Sequence, residues 1–375
     1  MNELQTPAVS AAPTARPPGR ISLRKVVLQI HLWAGLIVGL VLAVQGLSGA
    51  IMAWRAPLDR VISRSLYLVE PGAVRLSYGE LAARARAARP GAELEELRAF
   101  AAPDTPVIFG FTDNIYVHLN PYDGTVLGLR TRYGDALGWV EGLHKYLRLR
   151  PVLGEPIVGA VAIVFIVIIV TGVVLWWPAT RRALKAGLTL NWKLTGRPWN
   201  LSLHKTASIY VALIVFVSAV TGAPIALKWI QRSLTTAETT PPAAADSGKD
   251  FVGFDVIARN LDTLMPAAHD CYIPLPKKGL VKSYAIAAEA SHANARSYVW
   301  FNPADGAVLR FTPYARAGGG FRLYYWMLSL HTGQIGGWVA QILLSLGALA
   351  VPVLVYTGVA SYLQRKFRRP APGRV

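Results

Sequence analysis

Four histidines carry the chemistry this sequence offers, one for each long apolar run: His31 at the head of 26–54, His144 ahead of 156–177, His204 ahead of 206–227 and His331 ahead of 338–362. A neutral imidazole is a nitrogen ligand for transition metals, and ionisable groups in or beside membrane spans are expensive and usually functional. Taken singly, each histidine is accounted for by a hydrogen bond to a neighbour. Four of them at matching positions point to metal or haem. The lone Cys271 excludes an intramolecular disulfide, a four-cysteine iron–sulfur cluster and C-x-x-C-H attachment of haem. Any haem is therefore b-type, held by axial ligands and packing. Zinc in a closed site wants four ligands, and each end of the protein offers two, which favours haem.

The elements that must position these residues are legible in the composition. Hydrophobic residues make up 53% and charged residues 16% of the chain, and the four apolar runs are each long enough to cross a hydrocarbon core. The net charge of +18 would suit a nucleic-acid binder, but its distribution excludes that partner. Bases cluster beside the spans at Arg16, Arg20, Arg24 and Lys25, at Arg181, Arg182, Lys185, Lys193 and Arg197, and at Arg365, Lys366, Arg368 and Arg369. This positive-inside signal predicts cytoplasmic termini and a cytoplasmic 178–200 loop. Trp54, Trp176, Trp177, Trp229 and Trp338 mark the interfaces, and the first span is expected to serve as its own export signal.

The expected organisation is a disordered cytoplasmic tail over 1–20, a span over 21–55, a periplasmic domain over 56–143, and a lead-in with the second span over 144–178. A basic cytoplasmic loop over 179–200, a third span over 201–229 and a second periplasmic domain over 230–320 follow. An interfacial lead-in with the fourth span over 321–363 and a basic tail over 364–375 complete the chain.

The two halves repeat. Tyr116-Val117-x-x-Asn120-Pro121-x-Asp123-Gly124-x-Val126-Leu127 recurs as Tyr298-Val299-x-x-Asn302-Pro303-x-Asp305-Gly306-x-Val308-Leu309, a strand, tight turn and returning strand. Gly49 follows His31 by 18 residues and Gly222 follows His204 by 18, while Gly172 follows His144 by 28 and Gly358 follows His331 by 27. The predicted fold is a four-span α-helical bundle with two periplasmic α+β domains, produced by duplication of a span–domain–span unit.

In an up-down-up-down bundle the first and third helices are diagonal, as are the second and fourth. This pairs His31 with His204 inside and His144 with His331 outside, as axial ligands of two b-type haems separated by roughly 27 Å of helix. Thr171-Gly172 and Thr357-Gly358 lie at the level of the inner site, and Ser48-Gly49 and Thr221-Gly222 at the level of the outer one. Gly172, Gly358, Gly49 and Gly222 would let a porphyrin approach the backbone, or serve as helix-packing residues. His118, His269 and His292 have no matching partners in the repeat and read as surface or locally hydrogen-bonded residues.

The Q-I-H-x-W-x-G segment from Gln29 to Gly35, Leu203-His204-Lys205, Thr221-Gly222 and the two N-P-x-D-G hairpins resemble the PepSY-associated transmembrane family over about residues 20–369. Within it the chain is similar to bacterial inner-membrane ferric-siderophore reductases of the ferrioxamine type. The resemblance implies PepSY-like outer domains, two b-type haems, and reduction of a ferric siderophore in the periplasm. It also implies an external donor, either membrane quinol or a cytoplasmic flavoprotein. Lys145, Arg148 and Arg150 are candidates for the haem propionates, and Trp139, Tyr146, Tyr324, Tyr325 and Trp326 for stacking on the chelate. A PepSY membrane scaffold or sensor, and a quinol-linked b-type cytochrome with another acceptor, are the competing readings. No nucleophile–base pair or H-E-x-x-H helix supports a protease.

Overall fold

The computed structural model describes residues 22–242 and 250–367, so the expected tail over 1–20 and Arg368 and Arg369 lie outside the described residues. The first half runs α1 (Leu23–Met52), α2 (Arg55–Ile62), α3 (Arg64–Tyr67), α4 (Tyr78–Ala88), β1 (Leu94–Phe100), β2 (Val107–Phe111), β3 (Ile115–Leu119), β4 (Val126–Thr131), α5 (Ala136–Tyr146) and α6 (Pro151–Trp176). After α7 (Arg181–Leu188) the second half runs α8 (Gly196–Ala226), α9 (Lys228–Thr239), α10 (Phe254–Leu264), β5 (Asp270–Pro274), β6 (Val281–Ile286), β7 (Arg296–Phe301), β8 (Val308–Thr312), α11 (Gly319–His331) and α12 (Gly337–Lys366).

α1, α6, α8 and α12 are the helices long and apolar enough to cross a membrane. Each of 26–31 residues spans roughly 39–46 Å at 1.5 Å per residue, more than the hydrocarbon core requires. Neighbours pack round the ring as α1–α6, α6–α8, α8–α12 and α12–α1, leaving α1 opposite α8 and α6 opposite α12. Pro352 has no N–H, which frees the Ala348 carbonyl. Gly46 of α1 sits against that carbonyl, where an added Cβ would come within 2.5 Å. The third span begins at Gly196, five residues before the expected 201, and the basic loop before it contains α7, N-capped by the Thr180 hydroxyl.

All eight strands form one antiparallel sheet in the order β4-β3-β2-β1-β5-β6-β7-β8. This differs from two separate domains. β1 of the first half pairs with β5 of the second from Glu96 opposite Pro274 to Phe100 opposite Asp270. The physical reason is edge protection, since each four-stranded meander alone would expose a strand with unpaired backbone groups. One core serves both halves: Leu97, Phe109 and Val117 join Ile273, Val281 and Phe301 beneath Leu81 of α4 and Ile257 of α10. Asp255 of α10 accepts hydrogen bonds from the Tyr78 and Gly79 amides at 2.6 and 2.8 Å, closing the first turn of α4 across the halves.

The repeated hairpin phrase has a local explanation. Asn120 and Asp123 accept from the amides of Tyr122 and Thr125, and Asn302 and Asp305 from those of Ala304 and Ala307. Gly124 and Gly306 hold φ of 72° and 75°, the left-handed region that favours glycine. Pro121 and Pro303 offer their carbonyls to the Leu76 and Val252 amides, anchoring the chain entering α4 and α10.

The other face of the sheet looks toward the bundle. Tyr298 meets Tyr325 of α11 through their hydroxyls, and Arg130 pairs with Asp59 of α2 at 2.7 Å. Asp59 also pairs with Arg55, and Arg55 with Glu141 of α5. This chain of charges, together with Asp135 capping α5 through the Gly138 amide, fixes α5 between sheet and bundle.

Candidate functional site

The histidines meet in two pairs at opposite ends of the bundle. At the end that carries the described termini, His31 of α1 faces His204 of α8 across the diagonal, with ring centroids 6.2 Å apart and planes crossed at 89°. At the sheet end, His144 in the last turn of α5 faces His331 at the end of α11, again at 6.2 Å but with planes inclined by 33°. The lead-in helices carrying the second pair begin at Ala136 and Gly319, ahead of the expected 144 and 321.

Each imidazole is oriented by a neighbouring span. His31 Nδ1 lies 3.0 Å from the Ile168 carbonyl and 3.1 Å from Thr171 Oγ1. His204 Nδ1 repeats this at 3.0 Å from the Leu354 carbonyl and 3.1 Å from Thr357 Oγ1. His331 Nδ1 lies 3.0 Å from the Ser218 carbonyl and 3.5 Å from Thr221 Oγ1, and His144 Nδ1 lies 3.2 Å from Ser48 Oγ. The four hydroxyls donate to carbonyls one turn back, those of Val167, Val353, Val217 and Val44. Carbonyls only accept, and these hydroxyl protons are already committed. Nδ1 therefore carries the proton, and the Nε2 lone pair is left for a ligand bond.

Each of the four glycines sits against the edge of a histidine ring. An added Cβ would come 3.1 Å from His31 Cε1 at Gly172, 3.5 Å from His204 Cε1 at Gly358, 3.0 Å from His144 Cε1 at Gly49 and 2.7 Å from His331 Cε1 at Gly222. Gly172, Gly49 and Gly222 leave room for the imidazole edge and Gly358 makes ordinary contact with it, so each Ser/Thr-Gly pair is a seat for a histidine from the neighbouring element. Their spacing was visible in the sequence. The role of Ser48, Thr171, Thr221 and Thr357 as acceptors was not, because it exists only across the helix contact.

A cavity of about 340 Å³ surrounds the terminal-side pair. Leu28, Leu32, Leu36, Phe165 and Val355 give it an apolar wall, while Arg197, Lys205 and Arg365 supply positive charge. Trp176 and Ser361 also line it, and Trp176 Nε1 and Ser361 Oγ are buried without a hydrogen-bond partner. On α1, one turn from Gly49, Gln45 Nε2 is likewise buried and unpartnered. Among the described residues, no group of three or more His, Cys, Asp or Glu side chains could hold a metal ion.

The remaining site residues expected from sequence are placed elsewhere. Lys145 is engaged by Glu141 at 2.6 Å, and the Arg148 guanidinium lies 5.8 Å from the Trp139 ring centre. Arg150 is the N-cap residue of α6. Tyr146, Tyr324 and Tyr325 are buried, which removes them from a chelate-stacking surface. Tyr324 and Tyr325 instead pack with Phe321 and Tyr314 in the contact between α11 and the sheet. Trp139 and Trp326 remain exposed. His118 is buried with Nδ1 3.1 Å from the Leu66 carbonyl, and His269 Nε2 lies 3.0 Å from that of Ala288. Buried His292 joins Tyr314 and Ser329 at 2.8 Å each, with Asn294 bridging to Ser329 and Gln334. This network fastens α11 two residues before His331.

The model of one family, the PepSY-associated TM region, matches residues 28–365. The chain belongs to that family. No curated protein matches it. The match takes in both histidine pairs, the second and third spans, all but the outer ends of the first and fourth, and the whole sheet of this PepSY-associated TM protein.

Proposed function

We propose that this protein is a di-haem b-type oxidoreductase of the bacterial inner membrane, which passes electrons from a quinol or flavoprotein donor to a ferric siderophore in the periplasm. The observation that carries the reading is the pair of facing imidazoles at each end, with Nδ1 satisfied and Nε2 free. His31 with His204, and His144 with His331, would each hold one metal ion between their Nε2 atoms, which suits ring centroids 6.2 Å apart. The apolar wall, the three bases and the two unpartnered polar atoms at the terminal side suit a flat apolar macrocycle with anionic substituents. Haem, when bound, supplies a one-electron ferric/ferrous couple.

The protein's part is to hold and separate two such sites. His31 and His204 would bind at the terminal side and His144 and His331 at the sheet side, with the Ser/Thr-Gly seats fixing ring orientation. Two strong ligands on each centre favour electron transfer over oxygen binding. The 18 residues from His31 to Gly49, where His144 is seated, set the separation at roughly 27 Å along α1. The close-packed Leu42, Val161, Val215 and Val351 lie between the ends and exclude water.

Direction follows from charge. Arg24, Lys25, Arg181, Arg182, Lys185, Lys193, Arg197, Arg365 and Lys366 gather at the terminal side, which supports cytoplasmic termini and a periplasmic sheet. The matched order of elements in the two halves supports an origin by duplication. At the periplasmic face each ferric centre of the substrate takes up one electron. Iron(II) is held more weakly than iron(III) by hard oxygen ligands, so reduction releases it.

The test is the visible spectrum of protein expressed with adequate haem, followed by single-turnover oxidation of the reduced protein with a panel of ferric chelates. Soret and α bands with two haems per chain, and reoxidation by ferric siderophores, support the reading. A colourless protein would refute it in favour of a scaffold or sensor. Haem without reoxidation by any ferric chelate would leave a cytochrome with another acceptor.

A further inference from the structure

We infer that the two histidine pairs make electronically different centres, because the protein holds one pair of imidazole planes crossed at 89° and the other inclined by only 33°. The inference rests on the haem reading above. The observation is geometric: both pairs have the same 6.2 Å centroid separation, yet their planes meet at 89° on the terminal side and 33° on the sheet side.

The planes are set by the scaffold at two points on each ring. A hydrogen bond to a carbonyl or hydroxyl favours the acceptor near the ring plane, so Ile168 with Thr171 and Leu354 with Thr357 fix the terminal-side rings. Opposite each Cε1 stands a glycine, whose missing Cβ leaves the slot that the ring edge fills. The terminal-side rings come from diagonal spans, α1 and α8, and reach to α6 and α12. The sheet-side rings come from the short helices α5 and α11 and reach to α1 and α8. One Ser among the four seats, Ser48, and the longer 3.5 Å contact at Thr221 add to the difference.

Ring orientation matters because each imidazole donates π density into the iron d orbital perpendicular to its own plane. Parallel rings act on the same orbital and split the two dπ levels, which gives a rhombic low-spin ferric ion. Crossed rings raise one level each and leave the two nearly degenerate, which gives a strongly axial ion with a single large g feature. Second-shell hydrogen bonds are among the levers by which a protein tunes such a centre. Ile168, Leu354, Thr171 and Thr357 are therefore positioning residues acting through the terminal-side histidines.

Low-temperature electron paramagnetic resonance of the oxidised full chain in nanodiscs tests this, with haem counted on the same sample. The expected result is two low-spin species in equal amount, one with a large-g feature and one rhombic. His204→Ala removes the first alone, and His331→Ala the second alone. Thr357→Val, with Thr171→Val as the independent second variant, moves the large-g feature while two haems per chain remain. Two haems with identical spectra, the reverse assignment, or Thr variants that leave g unchanged would overturn the inference and leave the reductase reading standing. Absence of haem would overturn both.

Discussion

Gly222→Ala puts one methyl group where the structure leaves no space. The added Cβ would lie 2.7 Å from His331 Cε1 and 3.2 Å from Nδ1, whereas an ordinary carbon contact needs about 3.5 Å. The ring must retreat by roughly 0.8 Å, and it is already held at 3.0 Å by the Ser218 carbonyl. Stretching that bond by a comparable amount takes it out of hydrogen-bonding range. A buried donor left unmet costs about 1–3 kcal/mol, or roughly a 5- to 150-fold loss in affinity for the group held by the pair. Gly358→Ala is the internal control, because its Cβ would sit 3.5 Å from His204 Cε1. The assay is haem titration of the apoprotein, read as sheet-side and terminal-side occupancy. Gly222→Ala is expected to empty the sheet-side site selectively, Gly49→Ala and Gly172→Ala to weaken their own sites less, and Gly358→Ala to have no effect. A silent Gly222→Ala, or an equally damaging Gly358→Ala, would refute the seat argument.

Other expectations follow from the same structure. His144→Ala and His331→Ala should each abolish the same haem, and His31→Ala and His204→Ala the other; loss of one common haem from a terminal-side and a sheet-side variant would break the pairing. Burial holds His118 down to about 4 in the sheet, against about 6.5 when unfolded. The unfolded chain therefore binds the extra proton between those values, and stability should fall by up to about 3 kcal/mol as pH drops from 6.5 to 4. His118→Gln should flatten that slope in denaturation followed by tryptophan fluorescence, and an unchanged slope would assign it to other groups. Asp255→Ala strips two amides of the first turn of α4 of their acceptor, so about 1–2 kcal/mol of sheet stability should go, measurable by the same denaturation.

Much of this architecture could be read from residues alone, for definite reasons. The spans were legible because membrane crossing demands a length and an absence of charge that little else produces. The N-P-x-D-G hairpins were legible because the turn chemistry is local, written in Asn120, Asp123 and Gly124 themselves. The seam between β1 and β5 was not, since Glu96–Phe100 and Asp270–Pro274 carry no signal that names a partner 170 to 178 residues away. The seats were half visible. Spacing marked Gly49, Gly172, Gly222 and Gly358 as special, but only helix packing shows that an imidazole edge occupies the space. Tyr324 and Tyr325 misled for a related reason: aromatic rings beside a histidine look like a ligand platform until the sheet is seen to cover them.

The seam between the half-sheets has a consequence for how the molecule holds together. Each half contributes one histidine to each pair, so neither half alone completes either pair. The protein is in effect a tethered dimer, with the 177–195 connector replacing a bimolecular encounter by an intramolecular one. Severing that connector would leave two fragments whose reunion depends on the bundle contacts and on five strand pairs from Glu96 to Phe100. The meeting of His144 with His331 at the sheet side would then report the association of the halves, and a fragment pair weakened at the seam would become concentration-dependent in a property that the intact chain shows at any dilution.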